Sequence, residues 1–136
     1  MKISKDILYV GVNDHKVDLF EGQYVLEKGM AYNSYLILDE KIVITDTVDK
    51  SAVGTWFANL EAALCGKTPD FLIVHHLEPD HSAGIDALCE KYPELQVYCS
   101  DGALRMFPNF SDVPLSRVHG VKEGETLCLG RHTITF

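Results

Sequence analysis

Four side chains able to bind a metal ion crowd into six residues, His76-Leu77-Glu78-Pro79-Asp80-His81. Imidazole nitrogens and carboxylate oxygens are both ligands for divalent transition ions. A lone histidine is ordinarily a core or surface residue, and a charged loop is ordinarily a solvated turn. Four ligating side chains at this spacing, directly after the apolar run Phe71-Leu72-Ile73-Val74, are uncommon by chance. In an extended chain alternate residues share a side, so His76, Glu78 and Asp80 can aim at one pocket. Pro79 fixes its own φ and pushes Glu78 away from helical geometry. Asp80 and His81, adjacent at the bend, can then reach a second ion beside the first. Two imidazoles and two carboxylates on such a turn are half of a binuclear site. His75 neighbours His76 along the strand, points to the opposite face and is expected not to be a ligand. His15, His119 and His132 have no ligand partners at close spacing and are expected at the surface or in supporting positions.

The elements around this stretch are legible from periodicity and turn residues. Residues 71–74 read as a buried strand leading into the loop, with Ser82 as a cap for a helix that runs to about Tyr92 and ends at Pro93. Upstream, residues 7–12 read as a strand closed by Asn13-Asp14, with 17–24 as its antiparallel partner. Residues 33–38 and 41–45 form a hairpin about Asp39-Glu40. Val53, Trp56, Phe57, Leu60, Ala63 and Leu64 recur at helical spacing, giving a helix capped near Asp49 or Ser51 and stopped at Gly66. Its aromatic stripe is expected in the core. Downstream come a strand at 95–99, a short helix capped by Ser100 and broken by Pro108, and strands at 117–121, 126–129 and 132–136. The chain stops inside the last of these, an unusual end for an intact domain.

With 136 residues the chain is expected to be one domain at most, large enough to bury a core. A net charge of −8 and a pI near 5.1 argue against nucleic acid or an anionic membrane as partner. There is no apolar run long enough for a membrane span, and the N-terminus lacks a signal-peptide pattern, so the cytoplasm is the expected location. Cys65, Cys89, Cys99 and Cys128 contain no C-x-x-C pair and are expected as buried thiols.

His76-x-Glu78-x-Asp80-His81 resembles the first metal motif of the flavodiiron proteins, a branch of the metallo-β-lactamase superfamily. Val10-Gly11-Val12-Asn13-Asp14, Tyr32-Asn33-Ser34-Tyr35 and Ile44-Thr45-Asp46-Thr47 are similar to segments of the same family, so the resemblance covers essentially the whole chain. The hydrolytic branches typically carry His where this chain has Glu78. Added carboxylate favours harder ions, and zinc does no redox chemistry, which tilts the reading from hydrolysis toward iron.

The resemblance implies an α/β fold of a particular kind: a partial αββα sandwich over residues 1–136, comprising the first sheet with its helices and the start of the second. The inner face would then lie open and invite self-association into a homo-oligomer. It implies a non-haem diiron site reducing O2 to water and/or NO to N2O. His76 and Glu78 would serve one iron, and Asp80 and His81 the other, although in some members the position of His81 is not a ligand. Asp46 would support the metal loop by orienting ligand groups; read from the residues alone, a strand-end turn residue is an equal account of it. The family completes its site with a later His, a bridging Asp and a final His, all beyond Phe136. Its full-length members add a flavodoxin-like domain carrying FMN, absent here, and take electrons from a donor such as rubredoxin or a flavin reductase. The chain alone is therefore expected to hold iron weakly and not to turn over. Competing expectations are a diiron O2-binding sensor module, a zinc metallohydrolase of the β-lactamase superfamily, and a metal-free fragment that acts by binding other chains.

Overall fold

The structure is a computed structural model that describes residues 1–20 and 24–136. Its elements in chain order are β1 (Ile7–Tyr9), β2 (Val12–Asp14), β3 (Leu19–Phe20), β4 (Tyr24–Val25), β5 (Met30–Tyr32), β6 (Tyr35–Ile37), β7 (Val43–Thr45), α1 (Val53–Leu64), β8 (Phe71–Ile73), α2 (Pro79–Ser82), α3 (Ile85–Lys91), β9 (Gln96–Ser100), α4 (Asp101–Met106), β10 (Val118–Val121), β11 (Thr126–Cys128) and β12 (Thr133–Thr135). The strands richest in branched apolar residues pair into a six-stranded sheet of order β1-β6-β7-β8-β9-β10. Its first three strands are antiparallel neighbours, and β7, β8, β9 and β10 run parallel. Each parallel step needs a crossover longer than a hairpin. Those crossovers are α1, then α2 with α3, then α4.

Strand alternation assigns the two faces. Leu36, Ile44, Leu72, Val97, Cys99 and Val118 point one way and pack with Trp56, Leu60 and Leu64 of α1, Ile85 and Leu88 of α3, and Phe107 after α4. Ile37, Val43, Phe71, Ile73 and Tyr98 point the other way, where the β11–β12 hairpin lays Leu127, Leu129, Ile134 and Phe136 across them. The face expected to lie open is thus partly roofed, and Leu129 of the hairpin is fully buried against the sheet. A cleft of about 510 Å³ remains between hairpin and sheet, walled by Ile37, Thr45, Ile73, Ile134 and Phe136, with His75 at its rim.

Several local expectations are matched. The Asp39-Glu40 hairpin joins β6 to β7. The Asp49 carboxylate accepts the Ser51 amide at 2.8 Å before α1, and the helix ends in left-handed residues Cys65 and Gly66. The Ser100 hydroxyl caps α4 by accepting the Ala103 amide at 3.1 Å. Others are corrected. Residues 7–12 do not form one strand: β1 pairs with β6, while β2 leaves to pair with β5. The expected partner at 17–24 instead begins a small β3–β4 ribbon, with residues 21–23 outside the described set. Ser82 does not cap α3, whose N-cap is Gly84. Of the four cysteines, Cys89 and Cys99 are buried but Cys65 and Cys128 are exposed.

The hairpin is fastened to the sheet chiefly through the Asp39 carboxylate. Asp39 accepts from the His132 amide at 2.7 Å, lies 2.6 Å from His132 Nδ1, and lies 3.4 Å from Arg131 Nε, while Arg131 also pairs with Asp6. Burial acts to raise the Asp39 pKa, and the bonds from His132, Glu40 and Arg131 override it, leaving the carboxyl well below its ordinary value. A carboxylate depressed in this way stabilises the fold above its ordinary pKa of 3.8 and loses that contribution as pH falls further. Melting temperature should therefore drop steeply on acidification in the wild type. Asp39→Asn should start lower near neutral pH and show a flatter acid limb; parallel slopes for the two proteins would disprove the assignment.

Candidate metal centre

The metal loop leaves the end of β8, bends at His75 and runs to Pro79, which starts a single helical turn. Glu78 keeps extended geometry (φ −61°, ψ 147°) immediately before that turn, as a residue preceding proline should. From Pro79 onward the chain is helical, so the alternation expected to carry Asp80 to the same side as His76 and Glu78 does not reach it. His76 and Glu78 line a cleft of about 440 Å³ against α4, with Met106 and Phe110. Asp80 lines a separate cleft of about 380 Å³ beside Tyr32, Asp49 and Ser51. Burial, reinforced by the carboxylates of Asp49, Asp14 and Asp80, pushes the Tyr32 phenol up, so it keeps its proton there.

The donors meet in pairs. His76 Nδ1 lies 3.6 Å from Glu78 Oε2, and His81 Nε2 lies 3.5 Å from Asp80 Oδ2. The two pairs are bridged by the imidazoles, whose centroids are 3.9 Å apart at 47°. Among the described residues, no three His, Cys, Asp or Glu side chains converge as one metal-holding group.

Beneath the loop lies Asp46, at the end of β7 and 5% exposed. Its backbone is left-handed (φ 53°), an arrangement that short polar side chains tolerate better than most. Oδ1 accepts the His75 amide at 2.8 Å, and Oδ2 lies 2.7 Å from His75 Nδ1 and 3.2 Å from His81 Nδ1. Burial alone would raise the Asp46 pKa, but the ring and backbone bonds from His75 and the charge of the nearby imidazoles hold it below its ordinary value. The same bond raises the pKa of His75. His75, expected on the strand, lies instead in a bend past the end of β8 and bonds Asp46 through both its amide and its ring.

A polar scaffold continues below. The Trp56 indole N–H donates to Ser34 Oγ at 3.0 Å, and Ser34 Oγ donates to the Asp46 carbonyl at 3.0 Å. The Ser82 hydroxyl donates to the Leu77 carbonyl at 3.0 Å, closing the loop on itself. Ser34, Asp46, Thr47 and Ser82 are buried polar residues gathered under this single loop. Buried polar groups are costly unless hydrogen-bonded, so their concentration here is informative. Sequence reasoning singled out Asp46 but missed Ser34, Trp56 and Thr47 as supports; polar residues inside or just after apolar strand runs were the available signal.

Among the described residues one atom breaks the pattern of satisfaction: His81 Nδ1 is buried without a hydrogen-bond partner, because Asp46 Oδ2 is near it but misaligned. An orphaned imidazole nitrogen beside a second imidazole, with two carboxylates on the same turn, is a donor set that fits a transition-metal ion.

No protein-family model matches the chain. It is 35% identical over 129 residues to the anaerobic nitric oxide reductase flavorubredoxin of Vibrio vulnificus, a match covering 94% of this chain and 26% of that protein. The flavorubredoxin of Pectobacterium carotovorum is 34% identical over the same length. Among solved structures, rubredoxin oxygen:oxidoreductase from Desulfovibrio gigas superposes with a TM-score of 0.88 at 32% identity, covering 99% of this chain and 34% of that one. The flavodiiron protein from Giardia intestinalis gives a TM-score of 0.90 at 22% identity, covering 98% and 32%, a likeness of fold. The chain spans about a quarter to a third of the length of these relatives. With the six-stranded mixed sheet, its one-sided helices and the loop after β8, these matches make the chain homologous to the N-terminal part of the metallo-β-lactamase-like domain of flavodiiron proteins and flavorubredoxins.

Proposed function

We propose that this chain is the iron-holding N-terminal part of a diiron oxidoreductase that reduces O2 or NO, with His76, Glu78, Asp80 and His81 as its share of the ligands. The observation that carries this reading is the buried, partnerless Nδ1 of His81 beside His76, in a loop pinned from beneath by Asp46. The names of its relatives support the choice of substrate: nitric oxide reductase for one group, oxygen:oxidoreductase for the Desulfovibrio gigas protein. Bound iron would supply electrons to the diatomic molecule. The residues of this chain bind and orient: His76 and Glu78 from the extended arm, Asp80 and His81 from the helical turn, and Asp46 by fixing the loop's start.

The domain to which residues 1–136 contribute is of the metallo-β-lactamase type, and the activity, FMN, electron donor and cytoplasmic setting of the whole protein belong to this same reading. Each ion needs about four to six donors, more than four side chains can give to two ions, so on this reading the remaining ligands come from outside these residues.

Anaerobic titration with Fe(II), followed by metal counting after gel filtration, tests the reading. Iron is expected to bind weakly, and Glu78→Ala should weaken it by about tenfold or more. Preference for zinc over iron would favour a metallohydrolase, and unchanged iron affinity in Glu78→Ala would remove Glu78 from the ligand set. Tight binding of two irons per chain would overturn the view that the donor set is incomplete.

A further inference from the structure

We infer that Thr47 is a positioning residue for the metal loop, fixing His81 from the end opposite to the one that Asp46 holds; this rests on the metal reading above. Thr47 is completely buried. Its amide donates to the His81 carbonyl at 2.9 Å, and its hydroxyl donates to that same carbonyl at 2.9 Å. The hydroxyl in turn accepts the Gly84 amide at 3.0 Å. One threonine thus ties down the peptide plane of His81 and the backbone three residues later, and every polar group involved is satisfied.

Contact reinforces the tie. A Cβ placed on Gly84 would stand 3.0 Å from Thr47 Cβ and 3.2 Å from Trp56 Cζ3, so the loop's backbone is seated directly on Thr47 and the buried indole. The left-handed backbone at Asp46 explains how two consecutive residues can serve one loop. On a regular strand, residues 46 and 47 would point to opposite faces. With φ at 53°, Asp46 breaks that alternation, and its carboxylate grips His75 while Thr47 grips His81 and Gly84. The two ends of the loop are fixed to adjacent residues at the tip of a central strand. The backbone that carries the His81 ring is thus fixed before any metal arrives.

The test compares the wild type, Thr47→Val and Thr47→Ser, using amide hydrogen exchange of the metal-free chain and anaerobic titration with Co(II) read by its visible d–d absorption. Thr47→Val keeps the shape but removes the hydroxyl. Exchange at the Gly84 amide should be at least about tenfold faster, and cobalt should bind about tenfold weaker with an altered spectrum. Thr47→Ser keeps the hydroxyl and should stay within about threefold of wild type on both readouts. A folded Thr47→Val protein with unchanged cobalt affinity and spectrum overturns the inference, as does unchanged exchange at Gly84. Should Thr47→Val fail to fold, Gly84→Ala probes the same contact from the loop side and must loosen cobalt binding for the inference to stand. A wild type that binds no cobalt overturns the metal reading itself, and exchange at Gly84 then separately decides whether Thr47 fixes the loop.

Discussion

Asp46→Ala is expected to destabilise the fold by about 3 kcal/mol and to weaken metal binding about 10- to 100-fold. Three losses combine. The His75 amide, bonded to Oδ1 at 2.8 Å in a part-buried position, is left without its acceptor. The His75 ring loses its 2.7 Å partner and, being largely exposed, turns to water. Alanine must also adopt the left-handed φ of 53°, which a side chain without a local hydrogen bond accepts at a cost of about 1 kcal/mol or more. Asp46→Asn separates these contributions. Asparagine tolerates the left-handed region and retains one oxygen for the His75 amide, so it should recover most of the stability. It removes the negative charge 3.2 Å from His81 Nδ1, so metal binding should recover only partly. Denaturant unfolding and Co(II) titration on the two variants check this. A folded Asp46→Ala protein that binds cobalt like the wild type would show that Asp46 is only a turn residue.

Trp56→Ala should cost about 3–5 kcal/mol, lowering the melting temperature by about 10 °C or more for a chain of this size. Trp56 is wholly buried at the centre of the helix-side core, and its ring lies beside Phe57, with centroids 5.0 Å apart. Its removal leaves a cavity under the sheet and also frees Ser34 Oγ from the indole N–H. Trp56→Phe isolates the second effect. It retains most of the packing and should cost about 1–2 kcal/mol, from the lost hydrogen bond and a smaller void. Because Ser34 reaches the Asp46 carbonyl, Trp56→Phe should also loosen the loop, seen as faster amide exchange at residues 75–84. Exchange there that matches the wild type would mean the indole packs the core without supporting the site.

The stretch from His76 to His81 stood out as a candidate metal loop without any structure, because ligand type and spacing are local properties. So were the strand before it, the effect of Pro79 on Glu78, the spacing that made α1, and the Ser100 and Asp49 caps: each is decided by residues a few positions apart. The class of fold was legible through the family resemblance of the metal motif and its flanking segments, and the mixed six-stranded sheet agrees with it. What the sequence left open were interactions across large separations. Short strands such as residues 7–9 carry too little pattern to choose between a local partner and β6, and the choice fell to register and core packing. Asp39 meets His132 across 93 residues, Asp46 meets His75 across 29, and Thr47 meets Gly84 across 37. No periodicity encodes such pairs; the first exists because the β11–β12 hairpin reaches the β6–β7 turn, and the other two because the sheet sets the end of β7 beside the end of β8. The fold likewise decided that Pro79 starts a helical turn, sending Asp80 into a different cleft from Glu78, so the donors gather as two pairs about two neighbouring, tilted imidazoles.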